Sequence, residues 1–410
     1  MRFQALRHRN FRLYFTGQLL SMSGTWMQRV AEGWLVYRLT HSPLMLGLLA
    51  FAGSAPALFV SPVAGVIADQ VNRHRMVQVA QALAMAQACT LALFTLQGWI
   101  TPNLLLFFAL IMGTVRAIAN PARQSFLVEL IPVEDLTNAV ALSAIFSNLA
   151  RIAGPALAGF IIAGYGEGFC FLANGLSFLL TILCLQLMRF GKKEPRDSRE
   201  SQWELLLEGF QYIRNSFPVR SLLLQFAAIN FAGAPYITLM PIFAGTVLGV
   251  GPTELGWLIT ASGTGALICA IGLASLNQPP NLLKLVMCAS LVFGGALVGL
   301  ALSNSFSVSL LILPLIGGGY ILILAGTQTL LQTLVSDELR GRVMSFYSLV
   351  LLGFQPFGSL LAGWISEYLG VAVTLGLGGA SCLGVSLLSM RYISRRKSWH
   401  TGPERQLRRP

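Results

Sequence analysis

The chain has 410 residues, of which 55% are hydrophobic and only 11% are charged, and its mean hydropathy is +0.68. Soluble domains carry about 25% charged residues, so this composition indicates a membrane protein. The polar stretches are too short for a nucleotide-binding domain, a kinase or a receptor ectodomain. The apolar runs are continuous, which also excludes the alternating strands of a transmembrane β-barrel.

Apolar runs long enough to cross a bilayer follow one another along the whole chain. They predict twelve helices, over 13–39, 43–68, 76–98, 103–122, 137–164, 168–188, 221–248, 253–276, 282–303, 306–335, 342–366 and 370–390. Six precede a polar linker and six follow it. We therefore predict an all-α membrane protein of two pseudo-symmetric six-helix bundles, with the domains 1–188 (first bundle), 189–220 (linker), 221–391 (second bundle) and 392–410 (basic tail).

Between the two bundles, the linker carries apolar residues at steps of three and four among charged ones. This spacing predicts an amphipathic helix on the inner membrane surface. Its apolar residues are Trp203, Leu206, Leu207, Phe210 and Ile213.

The net charge of +12 reflects membrane topology rather than binding to nucleic acid. Most of the 28 basic residues fall before the first span, in alternate loops, in the linker and in the tail. The positive-inside rule therefore places both termini in the cytoplasm. The first apolar run, from about Phe11 to Leu39, is too long for the core of a cleaved signal peptide, so we interpret it as a permanent span.

The two halves share a weak internal repeat. Gly154, Gly159 and Gly166 recur 204 residues later as Gly358, Gly363 and Gly370, and Pro43 with Gly47 recurs as Pro252 with Gly256. Parallel repeats of this kind are how many carriers build an alternating pathway.

The loop between the second and third predicted helices reads GVIADQVNRHR and resembles the best-known signature of the major facilitator superfamily. Gly65, Asp69, Arg73 and the nearby Arg75 match the signature, whereas Gln70, Asn72 and His74 depart from it. The resemblance implies a twelve-helix transporter whose cytoplasmic gate includes these four residues. Asp69 would cap a helix end, and the arginines would anchor to anionic lipid headgroups or to carboxylates of the gate. A turn that merely obeys the positive-inside rule is the alternative.

Further segments resemble the same superfamily over the whole chain. ARIAGPALAG is similar to the Gly-Pro motif of its proton-coupled exporters, with Gly154, Pro155 and Gly159 as helix-packing and bending positions. Arg340 and Arg342 resemble the equivalent gate loop of the second half. The amino-acid sequence of the first and fifth helices is similar to that of the bacterial inner-membrane branch that includes enterobactin exporters and macrolide-type drug efflux proteins.

Four ionisable residues, all in the first half, lie well inside predicted spans: Arg29, Glu32, Arg116 and Arg151. A charge at the bilayer centre costs about 2.5–3.5 kcal/mol, so each is a candidate functional residue. In the superfamily fold, the first, second, fourth and fifth helices of this half line the cavity, and all four charges fall on these helices. Several aromatic residues, Trp26 among them, could also line it.

Chemistry suggests roles for these residues. We predict that Arg29, Arg116 and Arg151 bind a substrate that carries carboxylate, phosphate or catecholate groups, because arginine binds such oxyanions through paired hydrogen bonds. Glu32 is the predicted proton carrier, with Asp69 as the alternative. Arg29 and Glu32 are three residues apart and could instead form a static ion pair, and Arg151 could bond carbonyls near Gly154 and Pro155.

The function predicted is therefore a proton-coupled, monomeric exporter of an amphiphilic small molecule, such as a siderophore or a drug, without a cofactor or metal. A lysophospholipid or lipid flippase, a uniporter or importer of the same fold, and a passive channel or membrane sensor stay open. An enzyme is not predicted, because Glu32 has no buried catalytic partner. The chain lacks the G-x-x-x-x-G-K-[ST] loop of an ATP-driven pump. The sequence does not identify the substrate or the direction of transport.

Overall fold

The structure, a computed structural model, describes residues 4–61, 64, 71–188, 210–275 and 281–394. Within these ranges the chain forms twelve long helices and no strand. We number them α1 to α12: Arg9–Thr40, Pro43–Ser54, Arg73–Leu96, Pro102–Glu129, Val133–Tyr165, Glu167–Gln186, Phe217–Val247, Pro252–Ser275, Leu282–Ala301, Phe306–Leu334, Asp337–Leu369 and Val371–Ser394.

The predicted all-α membrane fold is confirmed. Eleven of the described helices, α2 to α12, are long and apolar enough to cross a membrane, and the span that begins with α2 continues to Ser61. Helix α1 has 32 residues but is less apolar, because Gln28, Arg29 and Glu32 lie within it. It contacts α2, α4, α5 and α6 and is therefore a central member of its bundle.

Two predicted helix ends are wrong. We expected Arg123 just after the fourth helix, but α4 continues to Glu129 through Pro121, a residue that membrane helices tolerate. We expected Arg340 and Arg342 in or beside a loop, but α11 begins at Asp337, so both lie in its first two turns. Acidic residues in that first turn, Asp337 and Glu338, favour an early start because they complement the helix dipole.

Most of the predicted linker and basic tail lies outside the described residues. Of the proposed amphipathic helix, Trp203, Leu206 and Leu207 belong to this part, whereas residues 210–215 are described and helical.

Two compact units make up the chain. The first comprises Met1–Ser198 together with Thr238–Gly263, and the second comprises Arg199–Ile237 together with Thr264–Pro410. Helices α7 and α8 each contribute residues to both units. The six-plus-six domain boundaries, which follow the sequence repeat rather than contacts, stay a prediction.

The internal repeat has a structural counterpart. In the first half α6 packs on α1 and α3, and α5 packs on α1; in the second half α12 packs on α7 and α9, and α11 packs on α7. Gly166 and Gly370, which the repeat pairs, follow α5 and α11 with φ angles of 90° and 82°. These positive angles favour glycine at both positions. Pro43 and Pro252, also paired by the repeat, each begin a helix.

An ion pair joins the C-terminal end of α1 to the N-terminal end of α6. The Arg38 Nε donates to Glu167 Oε1 at 2.9 Å, and its Nη2 donates to Oε2 at 3.0 Å. The Glu167 side chain is only 6% exposed, whereas that of Arg38 is 56% exposed. Because the carboxylate is buried and the hydrogen bonds are paired, this contact stabilises the fold more than an ordinary surface ion pair.

Replacing Arg38 by leucine should leave the Glu167 carboxylate buried without its partner. We expect the free energy of unfolding to fall by about 1–3 kcal/mol, the cost of an unsatisfied buried acceptor. The measurement is thermal unfolding in detergent, with the exposed Lys284→Met as the control. Adding Glu167→Gln to Arg38→Leu should restore much of the loss; no recovery in the double variant would contradict the pairing.

Candidate functional site

The four membrane-buried charges predicted from the sequence form one electrostatic cluster in the first unit. Glu32 of α1 interacts with Arg116 of α4 and with Arg29 of its own helix. Arg29 also interacts with Arg151 of α5. Three helices thus bring three positive charges and one negative charge together in the bundle.

None of these three arginines forms a hydrogen bond or salt bridge within the described part of the chain. Arg29 is exposed, while Arg116 and Arg151 are half-buried. An unpaired guanidinium in an apolar bundle is costly, and an oxyanion ligand would offset that cost. The arrangement can therefore hold an anion.

Trp26 supports two of the arginines. The Cζ atom of Arg29 lies 5.1 Å from the centroid of the Trp26 ring, and that of Arg151 lies 5.7 Å from it. Both distances are typical of cation–π contacts. The indole ring therefore orients two guanidinium groups from different helices without neutralising either.

The static ion pair of Arg29 with Glu32, which the sequence offered as the alternative to a proton-carrying Glu32, does not form. Glu32 instead accepts a hydrogen bond of 2.7 Å from Gln28 Nε2, one turn earlier on α1. Arg29 is directed to Trp26 instead. The alternative for Arg151, bonding to carbonyls near Gly154 and Pro155, is also wrong, because its contact is with the same ring.

A set of buried amides continues from Glu32 into α3 and α6. Gln28 Nε2 also donates to Gln87 Oε1 at 3.3 Å, and Asn174 Nδ2 donates to Gln28 Oε1 at 2.6 Å. Ser177 Oγ donates to Asn174 Oδ1 at 3.1 Å. We call Gln28, Gln87 and Asn174 the amide network. The network was not predicted from the sequence, although polar side chains in the middle of apolar runs were the available signal.

The second unit has a neutral polar contact in a helical irregularity. Residues Ile229–Gly233 of α7 form a π-helical turn, and such turns often occur at functional sites. Within it, Asn230 is fully buried and its Nδ2 donates to Phe226 O at 2.8 Å, while Tyr320 Oη donates to its Oδ1 at 2.8 Å. Periodicity alone does not predict such a turn.

No group of histidine, cysteine and acidic residues that could hold a metal occurs in the described ranges. The six cysteines, all of which are described, are free thiols.

Comparison with known proteins identifies the family. The family model for transmembrane secretion effectors, a group of major facilitator superfamily transporters, matches residues 1–404. The chain belongs to this family. Its members are transporters rather than enzymes, and the chain is accordingly a multi-pass membrane transporter.

Several relatives and structures are similar over most of their length. The staphyloferrin A transporter of Staphylococcus aureus is 26% identical over 92% of this chain and 94% of its own. The multidrug efflux pump Tap of Mycolicibacterium fortuitum is 24% identical over 87% of this chain and 89% of its own. A crystal structure of a bacterial homologue of the iron transporter ferroportin, inward-facing, is 17% identical with a TM-score of 0.71, over 94% of this chain and 99% of that one. This last likeness shows the fold alone.

Part of the loop that resembles the superfamily signature lies within the described ranges. Gly65 and Asp69 lie outside the described residues, whereas Arg73 and Arg75 form the first turn of α3. The Asn72 side chain caps this helix by accepting from Arg75 N at 3.2 Å. His74, at a position usually basic, packs on Phe126 with ring centroids 5.7 Å apart and contacts Leu185 O through Nε2 at 2.9 Å.

The segment predicted to form the second part of the gate lies at the start of α11. Arg340 Nε donates to Gln332 O at 3.0 Å, and its Nη2 pairs with Asp337 at 2.5 Å. Both partners of the ion pair are largely exposed, so it contributes little to stability. Arg340 therefore ties the end of α10 to the beginning of α11.

Small residues of α5 lie where helices of the first unit approach closely. A Cβ atom on Gly154 would be 2.6 Å from Trp26 Cβ, and one on Gly159 would be 2.8 Å from Pro252 O. On α8, a Cβ atom on Gly256 would be 2.6 Å from Pro155 O. Glycine thus lets α5 approach α1 on one side and the beginning of α8 on the other.

Gly256→Val should disrupt this approach, because a Cβ atom has no room beside Pro155 O. We expect destabilisation of about 1–3 kcal/mol from overpacking and a loss of transport. Gly272→Val is the matched control, since it lies on the same helix with no atom within 4 Å of the added Cβ. Thermal unfolding and dye transport in liposomes measure both. Equal behaviour of the two variants would contradict the assigned packing.

Proposed function

We propose that this transporter is a proton-coupled exporter of an amphiphilic small molecule that carries oxyanion groups. The observation that carries the proposal is the electrostatic interaction of Arg29 with Arg116 and Arg151, each without a hydrogen bond or salt bridge among the described residues. Their charge is offset only by Glu32 within that cluster, so the site favours an anion. We assign the three arginines to substrate binding, with Trp26 as the ring that orients two of them.

The relatives support a siderophore or a drug as the transported compound. One is a transporter of staphyloferrin A and another is a multidrug efflux pump. An anionic site agrees with a compound that carries carboxylate or catecholate groups. The apolar remainder of the bundle suits an amphiphile rather than a simple ion.

Glu32 is the proposed proton carrier. All other acidic residues of the described helices lie in a first or last turn, whereas Glu32 lies well inside α1. A carboxylate beside the substrate-binding arginines can link proton binding to substrate binding, because its protonation state changes the net charge of the site. Asp69 stays the alternative carrier.

Transport is proposed to occur by alternating access of two sequence-related halves in the bacterial inner membrane, with both termini cytoplasmic and one chain sufficient. The repeated helix pairs and the basic cytoplasmic loops support this view. Gly65, Asp69, Arg73 and Arg75 would form one side of the cytoplasmic gate, and Arg340 with Arg342 the other. The exposed arginines among them can also bind anionic lipid headgroups.

Proteoliposomes with an acidic lumen provide the test of coupling. An exporter that exchanges protons should accumulate carboxyfluorescein or ethidium against its gradient, and Glu32→Gln should abolish this accumulation while preserving exchange of dye across the membrane. An acidic lumen opposes passive entry of a weak acid such as carboxyfluorescein, so accumulation reports the protein. Undiminished accumulation by Glu32→Gln, or accumulation of neither dye by the wild type, would contradict the proposal.

Substitution of the arginines tests the anionic character of the site. Arg116→Gln and Arg151→Gln should weaken transport of carboxyfluorescein about 10- to 100-fold, the loss expected for one charge-assisted hydrogen bond. Ethidium, a cation, should be affected little. The surface variant Arg220→Gln serves as the control. Equal losses for the two dyes would point to misfolding and not to anion binding.

A further inference from the structure

We propose that Gln28 is a positioning residue that selects which oxygen of Glu32 exchanges the proton. Its amide N–H group holds Oε1, so Oε2 is the oxygen that takes and releases the proton. The inference rests on the proposed role of Glu32 in proton coupling. It adds to that role a specific orientation of the carboxyl group, imposed by α3 and α6.

One backbone carbonyl fixes the direction of every hydrogen bond in the amide network. Phe108 O can only accept, so the group of Gln87 that faces it at 3.2 Å must be the donor Nε2. Gln87 therefore presents its acceptor Oε1 to Gln28, and Gln28 must donate to it through Nε2. The same Nε2 donates to Glu32 Oε1, and the remaining Gln28 Oε1 accepts from Asn174.

The amide network is buried away from water, so reversing the orientation of any of its amides costs free energy. Gln28 and Asn174 are fully buried, and Gln87 is 4% exposed. If one buried amide rotated by 180°, its donor and acceptor would change places and would face groups of the same kind. Each unsatisfied group would cost about 1–3 kcal/mol. Gly24 adds a spatial constraint, because a side chain there would collide with the Asn174 amide and lie 2.8 Å from Ser177 Oγ.

Glu32 thus faces a fixed donor at Oε1, whereas no hydrogen bond from a described residue reaches Oε2. A protonated Oε1 would place its hydrogen against the Gln28 amide hydrogens, whereas a protonated Oε2 leaves the 2.7 Å bond to Oε1 intact. The proton therefore adds to Oε2 from water in the transport path and returns to water from the same atom.

The charged groups that act on Glu32 are Arg116 from α4 and Arg29 from α1. Helices α3 and α6 contribute the neutral amides of Gln87 and Asn174, which act on Glu32 through Gln28. The two sets of neighbours thus have separate effects: the arginines bias the charge of the carboxyl group, and the amide network sets its orientation. This separation makes the second effect measurable by itself.

Infrared difference spectroscopy of the purified protein tests the inference without a substrate. The C=O stretching band of the protonated carboxyl group, recorded against pH and assigned by its loss in Glu32→Gln, reports the bond at Oε1. Gln28→Met, which is nearly isosteric but has no donor, should shift this band to higher wavenumber. Gln87→Leu, which removes the acceptor that fixes the Gln28 amide, should shift it in the same direction.

Gln81→Met is the matched control. Gln81 lies on α3 near Gln87 and is fully buried, but neither of its amide atoms has a hydrogen-bond partner among the described residues. This variant should leave the band unchanged, whereas an equal shift would mean that any buried glutamine influences Glu32.

The outcomes separate the two proposals. A band that is lost in Glu32→Gln but has the same wavenumber in the wild type, in Gln28→Met and in Gln87→Leu overturns the positioning role alone. No protonated band assignable to Glu32 at any pH at which the protein is folded withdraws its proton role, and this inference with it. Should Gln28→Met fail to fold, the Gln87→Leu spectrum decides.

Discussion

The structure of the first unit depends on how an apolar bundle accommodates ionised side chains. A charge inside such a bundle must be stabilised by protein groups or stay costly. Glu32 is stabilised, because Gln28 donates to it within a sealed set of amides. The three arginines are not stabilised to the same degree: none has a hydrogen bond or salt bridge among the described residues, and two of them contact the face of Trp26. The site is thus prepared for an anion that the protein itself does not supply.

Helix α1 makes this arrangement possible. It is the least apolar of the long helices, and its polar residues Gln28 and Glu32 are buried in the bundle. Gly24 lets α6 bring Asn174 close, and Gly154 lets α5 approach the backbone near Trp26. The ion pair of Arg38 with Glu167 joins the C-terminal end of α1 to the N-terminal end of α6. Tight packing and the position of the charges are therefore two consequences of the same small residues.

The helices, their order and the charged cluster could be predicted from the sequence, because long apolar runs and isolated charges within them have few alternative explanations. Helix ends were less predictable: the fourth predicted helix ended at residue 122, whereas α4 continues to Glu129, and the acidic first turn of α11 begins before the predicted start. The partner of Glu32 was not predictable from spacing. Both Gln28 and Arg29 lie within one turn of it on the same helix, and the choice between them depends on Trp26, Gln87 and Asn174, which only the tertiary structure brings together. The π-helical turn around Asn230 likewise has no signal in hydrophobic periodicity.

The central claim is that Arg29, Arg116 and Arg151 hold the transported anion. An experimental structure of the protein with a transported anionic compound bound tests it most directly. The account predicts an oxyanion group of that compound within hydrogen-bonding distance of at least two of the three guanidinium groups, with Gln28 still bonded to Glu32. A compound bound with all three arginines untouched would contradict it.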